Sequence, residues 1–151
     1  LRPLLEQAAA ALAAGAQARQ VTVQVAAAEP LPAITGDADR LLEVLLNLLD
    51  NALQYTPPGG QIDLAVEADP AAGEVVVHVR DTGPGIPPDV LPHLFDRFRR
   101  GDVRRSGSGL NLGLGLNIAQ AIVAAHGGTL QAANRAGGGA DFYFNLRAAP
   151  P

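Results

Sequence analysis

The chain has 151 residues, 48% of them hydrophobic, with a formal charge of −4 and a pI near 5.2. That size suits one domain with one substantial core, and the acidic balance excludes a general grip on nucleic acid. With no Cys, disulfide frameworks, thiolate chemistry and Cys-based zinc sites are excluded as well, which fits a reducing, cytoplasmic compartment. No apolar run of membrane-spanning length and no signal-peptide pattern occur, so no membrane contact is expected of this segment. A start at Leu1 and the absence of Met read as part of a longer protein.

Leu4, Leu5, Ala8 and Leu12 recur at helical spacing and predict a helix over 1–16, with Gly15 near its end. Val21, Val23 and Val25 alternate as a strand. After the Pro-punctuated turn 29–32, Asp37 is placed to cap a second helix or act as its first-turn acid. That helix, 41–55, has a wide apolar arc of Leu41, Leu42, Val44, Leu45, Leu46, Leu48, Leu49, Ala52 and Leu53. Its other side stacks Glu43, Asn47, Asn51 and Tyr55 at four-residue spacing. Asn is a poorer helix former than Glu, Lys, Arg or Gln, so two Asn one turn apart suggest a ligand to hold; an amphipathic surface helix with an accidental pair is the plain alternative.

The run Thr56-Pro57-Pro58-Gly59-Gly60 ends the helix. Ile62, Leu64 and Val66, then Val75, Val77 and Val79, form two alternating strands around the turn 69–73, an antiparallel pair. Where the second ends, Asp81-Thr82-Gly83-Pro84-Gly85-Ile86 combines a carboxylate with two Gly that let backbone approach a flat ligand; taken alone, the pattern reads first as a surface turn. Pro87-Pro88 opens a short helix through Leu91 and Leu94. Phe95 and Phe98 follow among Arg97, Arg99, Arg100, Arg104 and Arg105, a basic stretch interspersed with Gly101, Gly107 and Gly109 that suits either a hinged lid over phosphates or a solvated loop. Gly113-Leu114-Gly115-Leu116 opens a helix to His126, where bare backbone N–H groups and the positive helix end favour phosphate. Gly127-Gly128 ends it. Strands from Leu130 and through Phe142, Phe144 and Leu146 pair across the turn 137–139, and a C-terminal tail, 148–151, follows with its Pro150-Pro151 end frayed.

In this order the motifs resemble the catalytic and ATP-binding domain of two-component sensor histidine kinases, in the GHKL superfamily. Asn47 to Ala52 resembles the N box, Asp81 to Ile86 the first Gly box, Leu94 to Phe98 the F box and Gly113 to Leu116 the second Gly box. The resemblance covers nearly the whole chain as one domain, 1–151. It implies an α+β fold, a two-layer α/β sandwich of Bergerat type with a mixed, mostly antiparallel sheet and a flexible ATP lid over roughly 87–112. It assigns Asp81 to the adenine amino group, with Gly83, Gly85 and Ile86 beside it and Tyr55 near the base. Asn51 is assigned to Mg2+, with Asn47 as second candidate, Gly113, Leu114, Gly115 and Leu116 to the phosphate path, and Arg97 and Arg100 to the phosphate tail. The implied function is donation of the γ-phosphate of Mg-ATP to a His on a separate dimerisation and phosphoacceptor domain, with a response regulator downstream.

Related hydrolases carry a Glu general base where Asn47 stands, and no equivalent base is present here, so catalysis reduces to positioning and charge neutralisation. His78, His93 and His126 lack the phosphoacceptor pattern: His78 reads as a packed or surface strand residue, His93 as a surface residue at the lid edge, and His126 as a helix C-terminal residue favourable to the dipole. The chain alone is expected to bind ATP and transfer nothing. Gln54, Asn111 and Ala140 depart from the family pattern, which keeps a nucleotide-independent docking module with a degenerate ATP site as an alternative; a GHKL protein-serine kinase, with a different acceptor, is a second.

Overall fold

Period-2 alternation in the strands and a period near 3.6 in the helices leave each element with one apolar side, and the fold joins those sides in a single interior. A computed structural model describes residues 1–27, 29–96 and 112–150, with 112–114 described by their backbone. Helices α1 (Arg2–Ala18), α2 (Ala38–Tyr55) and α3 (Leu112–Ala125) pack with strands β1 (Thr22–Ala27), β2 (Gln61–Asp69), β3 (Glu74–Asp81), β4 (Leu130–Asn134) and β5 (Ala140–Arg147). The sheet order is β1-β2-β3-β5-β4; β1 lies parallel to β2, and the other three pairings are antiparallel. This is the expected α+β architecture with a mixed, mostly antiparallel sheet. Among the described residues no helix is long and apolar enough to cross a membrane.

Register explains how the core forms. Leu64 faces Val79 and Val66 faces Val77, while Val75, Val77 and Val79 pair with Leu146, Phe144 and Phe142. All of these are at most 5% exposed, as are Leu41, Val44, Leu45, Leu48 and Leu49 of α2 and Leu116, Ala119 and Val123 of α3. Each fully buried Leu or Val contributes about 1.5–3 kcal/mol from apolar burial, so the sheet face and α2 dominate cohesion. Helix α1 adds Leu5, Ala8, Leu12 and Ala16 to the same cluster.

Helix ends differ in part from expectation. Asp37 caps α2 as its sequence suggests, its Oδ1 accepting from Arg40 N at 3.1 Å. Helix α1, however, runs past Gly15 and closes on Gln20, which takes φ +57. The amides of Gln20 and Val21 donate to Gln17 O and Ala16 O, a Schellman closure built on a non-Gly residue. The expected helix after Pro87-Pro88 is only a 3-10 turn at Leu91–His93. The tail is held at its first two residues, because Ala148 N donates to Gly73 O and Ala149 N to Ala33 O.

On the sheet face away from the helices, His78 is 9% exposed and bound through Nδ1 to Asp141 at 3.0 Å, with Tyr143 stacked on its ring. Arg80 bridges Asp141 and Glu67 at 3.3 and 2.8 Å. Burial alone would push Asp141 up, but the hydrogen bonds and charges of His78 and Arg80 outweigh it and hold its carboxyl below the ordinary 3.8. A depressed carboxyl stabilises the fold above its unfolded pKa and loses that contribution as pH falls through the folded value. The stability gap between wild type and Asp141→Asn, measured by urea unfolding, is therefore expected to close as pH drops below 3.8.

Candidate nucleotide site

The end of β3 carries Asp81 into the interior, where its side chain is 3% exposed. Its Oδ1 accepts from Gly83 N at 2.9 Å and Ala140 N at 3.3 Å. Among the described residues no buried side-chain oxygen or nitrogen lacks a partner, so Oδ2, which makes no hydrogen bond there, is the atom through which Asp81 meets open space. Burial raises the carboxyl above its ordinary 3.8 against the pull of the two amides and the charge of Arg135. One oxygen is thus fixed by backbone and the other is presented, the arrangement that accepts a hydrogen from a ligand's amino group.

Close packing around Asp81 depends on what Gly leaves out. A Cβ on Gly83 would lie 2.7 Å from Tyr55 O and 3.0 Å from Asp81 Oδ1, so the loop after β3 rests on the last turn of α2. Gly85 has φ +82, and Ile86 is clamped by Asn134, which accepts from Ile86 N at 2.7 Å and donates to Ile86 O at 2.8 Å. Arg135 donates to Asp81 O at 2.9 Å. Asn134, Arg135 and the Ala140 amide carry no motif, and no signal in the sequence points to them. Ala140, a departure from the resembled pattern, still reaches the carboxylate directly through its main-chain N–H.

Along α2 the structure revises the polar side. Asn51 is 8% exposed and buried with the core, Asn47 is half-buried, and Tyr55 is 48% exposed. The start of α3 approaches that side at Asn47, since a Cβ on Gly115 would come 3.4 Å from Asn47 Oδ1. Asn47 of the N box and Gly115 of the second Gly box are therefore brought together, and Leu116 beside Gly115 is buried. Gly113 lies in the first turn of α3; it and Leu114 are described by backbone alone. Arg97 and Arg100, with Phe98, Asn111 and most of the expected lid, lie outside the described residues. Phe95 meets Phe142 edge to face at 6.5 Å, so the first aromatic of the F box anchors to the core.

A cleft of about 790 Å3 opens at the C-terminal end of α2, lined by Tyr55 and Gly83 together with Arg19, Gln54, Thr82 and Pro84. Among the described residues no group of three or more His, Asp or Glu could hold a metal ion. The oxygen donors suited to Mg2+ here are the neutral carboxamides of Asn47 and Asn51, which match an ion that keeps waters and takes phosphate oxygens for much of its shell. The carboxamide donor set, with Gly115 leaving room beside Asn47, fits a magnesium nucleotide.

Residues 36–150 match the family model described as histidine kinase-, DNA gyrase B-, and HSP90-like ATPase. The sensory kinase SasA of Synechococcus elongatus is 38% identical over 144 residues, covering 95% of this chain and 36% of that protein. The sensor protein KdpD of Clostridium acetobutylicum is 39% identical over 124 residues, covering 82% of this chain and 14% of its own length. Among solved structures, full-length ShkA in complex with AMPPNP superposes with a TM-score of 0.84 at 34% identity, covering 99% of this chain and 30% of ShkA. The mycobacterial sensor histidine kinase MprB superposes at 0.76 and 29% identity, covering 99% of this chain and 95% of that one. The chain thus spans about a third or less of these curated relatives. It belongs to the histidine kinase-, DNA gyrase B- and HSP90-like ATPase family, among relatives that are sensor histidine kinases.

Proposed function

We propose that the chain binds Mg-ATP in the cytoplasm and donates the γ-phosphoryl group to a His on a separate dimerisation and phosphoacceptor domain, from which a response regulator is charged. The observation that carries this reading is the single presented oxygen of a buried Asp81, held by Gly83, which rests on the last turn of the helix that carries Asn47 and Asn51. Asp81 would take the adenine amino hydrogen, with Gly83, Gly85, Ile86 and Tyr55 about the base. Asn51 and Asn47 would hold Mg2+, and the turn from Gly113 to Leu116 would receive the phosphates at a helix N-terminus. Arg97 and Arg100 complete the proposed set at the phosphate tail. Bound Mg2+ neutralises phosphate charge.

A carboxamide cannot take a proton from water, so Asn47 supports transfer rather than hydrolysis. In that transfer the bond from Pγ to the β-phosphate oxygen breaks, ADP keeps the electron pair, and an acceptor imidazole nitrogen forms the new bond to Pγ. The chain's own His are engaged elsewhere: His78 with Asp141, His93 with Asp96, and His126 with Ile122 and Asp37. This supports the reading that the chain alone transfers nothing.

Calorimetric titration of the purified chain with a non-hydrolysable ATP analogue tests the binding step. Saturable heat that changes when Mg2+ is removed is the expected result. A chain that is folded by circular dichroism and gives no heat overturns the proposal.

A further inference from the structure

His126 follows the last residue of α3, and its ring joins two elements far apart in sequence. Nδ1 lies 2.8 Å from Ile122 O, and Nε2 lies 3.0 Å from the amide nitrogen of Asp37, the N-cap of α2. A carbonyl can only accept, so Nδ1 carries the hydrogen and Nε2 accepts from the Asp37 N–H. The ring sits over Gly36, where a Cβ would come 2.9 Å from His126 Cδ2. The C-terminus of α3 is thereby tied to the N-terminus of α2.

At the other end of the same antiparallel pair, Gly115 of α3 packs on Asn47 of α2. Ten residues separate Asp37 from Asn47, which at 1.5 Å per residue places the tie roughly 15 Å from the carboxamide. Because helices are stiff over that length, a contact fixing one end of the pair constrains the separation at the other. We infer that His126 is a positioning residue for the nucleotide site: by latching α3 to the N-cap of α2 it sets the approach of the second Gly box to Asn47. The inference rests on the nucleotide reading above for its functional consequence, but the latch itself does not.

Two substitutions separate the two hydrogen bonds of the ring. In His126→Gln the carboxamide oxygen extends to where Nε2 lies and accepts from Asp37. In His126→Asn the carboxamide nitrogen can still donate to Ile122 O, but the side chain falls short of Asp37. In the Asn variant the Asp37 amide is expected to exchange about tenfold faster. The Asn47 side-chain amide resonance shifts, and affinity for a non-hydrolysable ATP analogue falls about fivefold. The Gln variant retains wild-type behaviour in all three. Equal losses in both variants, or a released Asp37 amide with the Asn47 resonance and affinity unmoved, would overturn the latch. Should wild type itself fail to bind the analogue, the proposed function fails, and the Asn47 resonance alone decides the latch.

Discussion

Asp81→Asn is expected to lower affinity for an ATP analogue by at least about a hundredfold, roughly 2.7 kcal/mol, while the fold keeps or gains stability. The substitution retains a side-chain oxygen for the Gly83 and Ala140 amides, so the local hydrogen bonds survive. What changes is the presented atom, which becomes an NH2 and meets the proposed adenine amino group donor to donor. Stability should move the other way. Burial raises the Asp81 pKa above its unfolded value, so the group's favourable contribution is fully present below the unfolded pKa and is lost as pH rises through the folded one. At neutral pH the ionised carboxylate therefore carries a desolvation cost that Asn removes. Thermal melts of both proteins should show the Asn variant at least as stable at pH 7, with its relative advantage shrinking toward pH 4. A variant that binds the analogue as tightly as wild type would refute the adenine role of Asp81, whatever its stability.

The alternating strands were legible because each buries one face, which leaves Val75, Val77 and Val79 no other arrangement consistent with Phe142, Phe144 and Leu146 opposite them. Helix α2 was legible in its apolar arc but not in the surroundings of its polar stripe. Asn51 reads with Asn47 as a stacked pair suited to holding a ligand, but nothing in that spacing reports that Asn51 is buried while Asn47 is only half-buried. Periodicity reports which face is apolar; it does not report what covers the other. The partners of Asp81 were hidden for a different reason. Ala140 contributes through its main-chain N–H, which any non-proline residue possesses, and Asn134 and Arg135 act because the β4–β5 hairpin returns beside β3. His126 reads as a helix C-terminal residue favourable to the dipole, whereas its hydrogen bonds tie that end to Asp37. Gln20 shows the limit of turn chemistry, since Gly15 is the better helix stop by residue type and the chain bypasses it for the reversal that places Val21 at the core.

The same hairpin supplies the second large effect. Gly138 and Gly139 both have positive φ, +99 and +91, but their surroundings differ. A Cβ at Gly138 would meet nothing within 4 Å, whereas one at Gly139 would lie 1.9 Å from Asp81 O and 3.1 Å from Thr82 Cα. Gly138→Ala therefore carries only the backbone cost of the left-handed region, about 1–2 kcal/mol. Gly139→Ala carries that cost and a collision with main chain that no rotamer can relieve, for an expected loss on the order of 4 kcal/mol. The β4–β5 turn must then withdraw from β3, which takes the Ala140 amide away from Asp81 Oδ1. Urea unfolding of the pair measures the difference directly, and under conditions where both remain folded the Gly139 variant should lose nucleotide affinity while the Gly138 variant keeps it. Equal destabilisation by the two would mean that backbone conformation alone fixes this turn, and that its contact with Asp81 is incidental to the site.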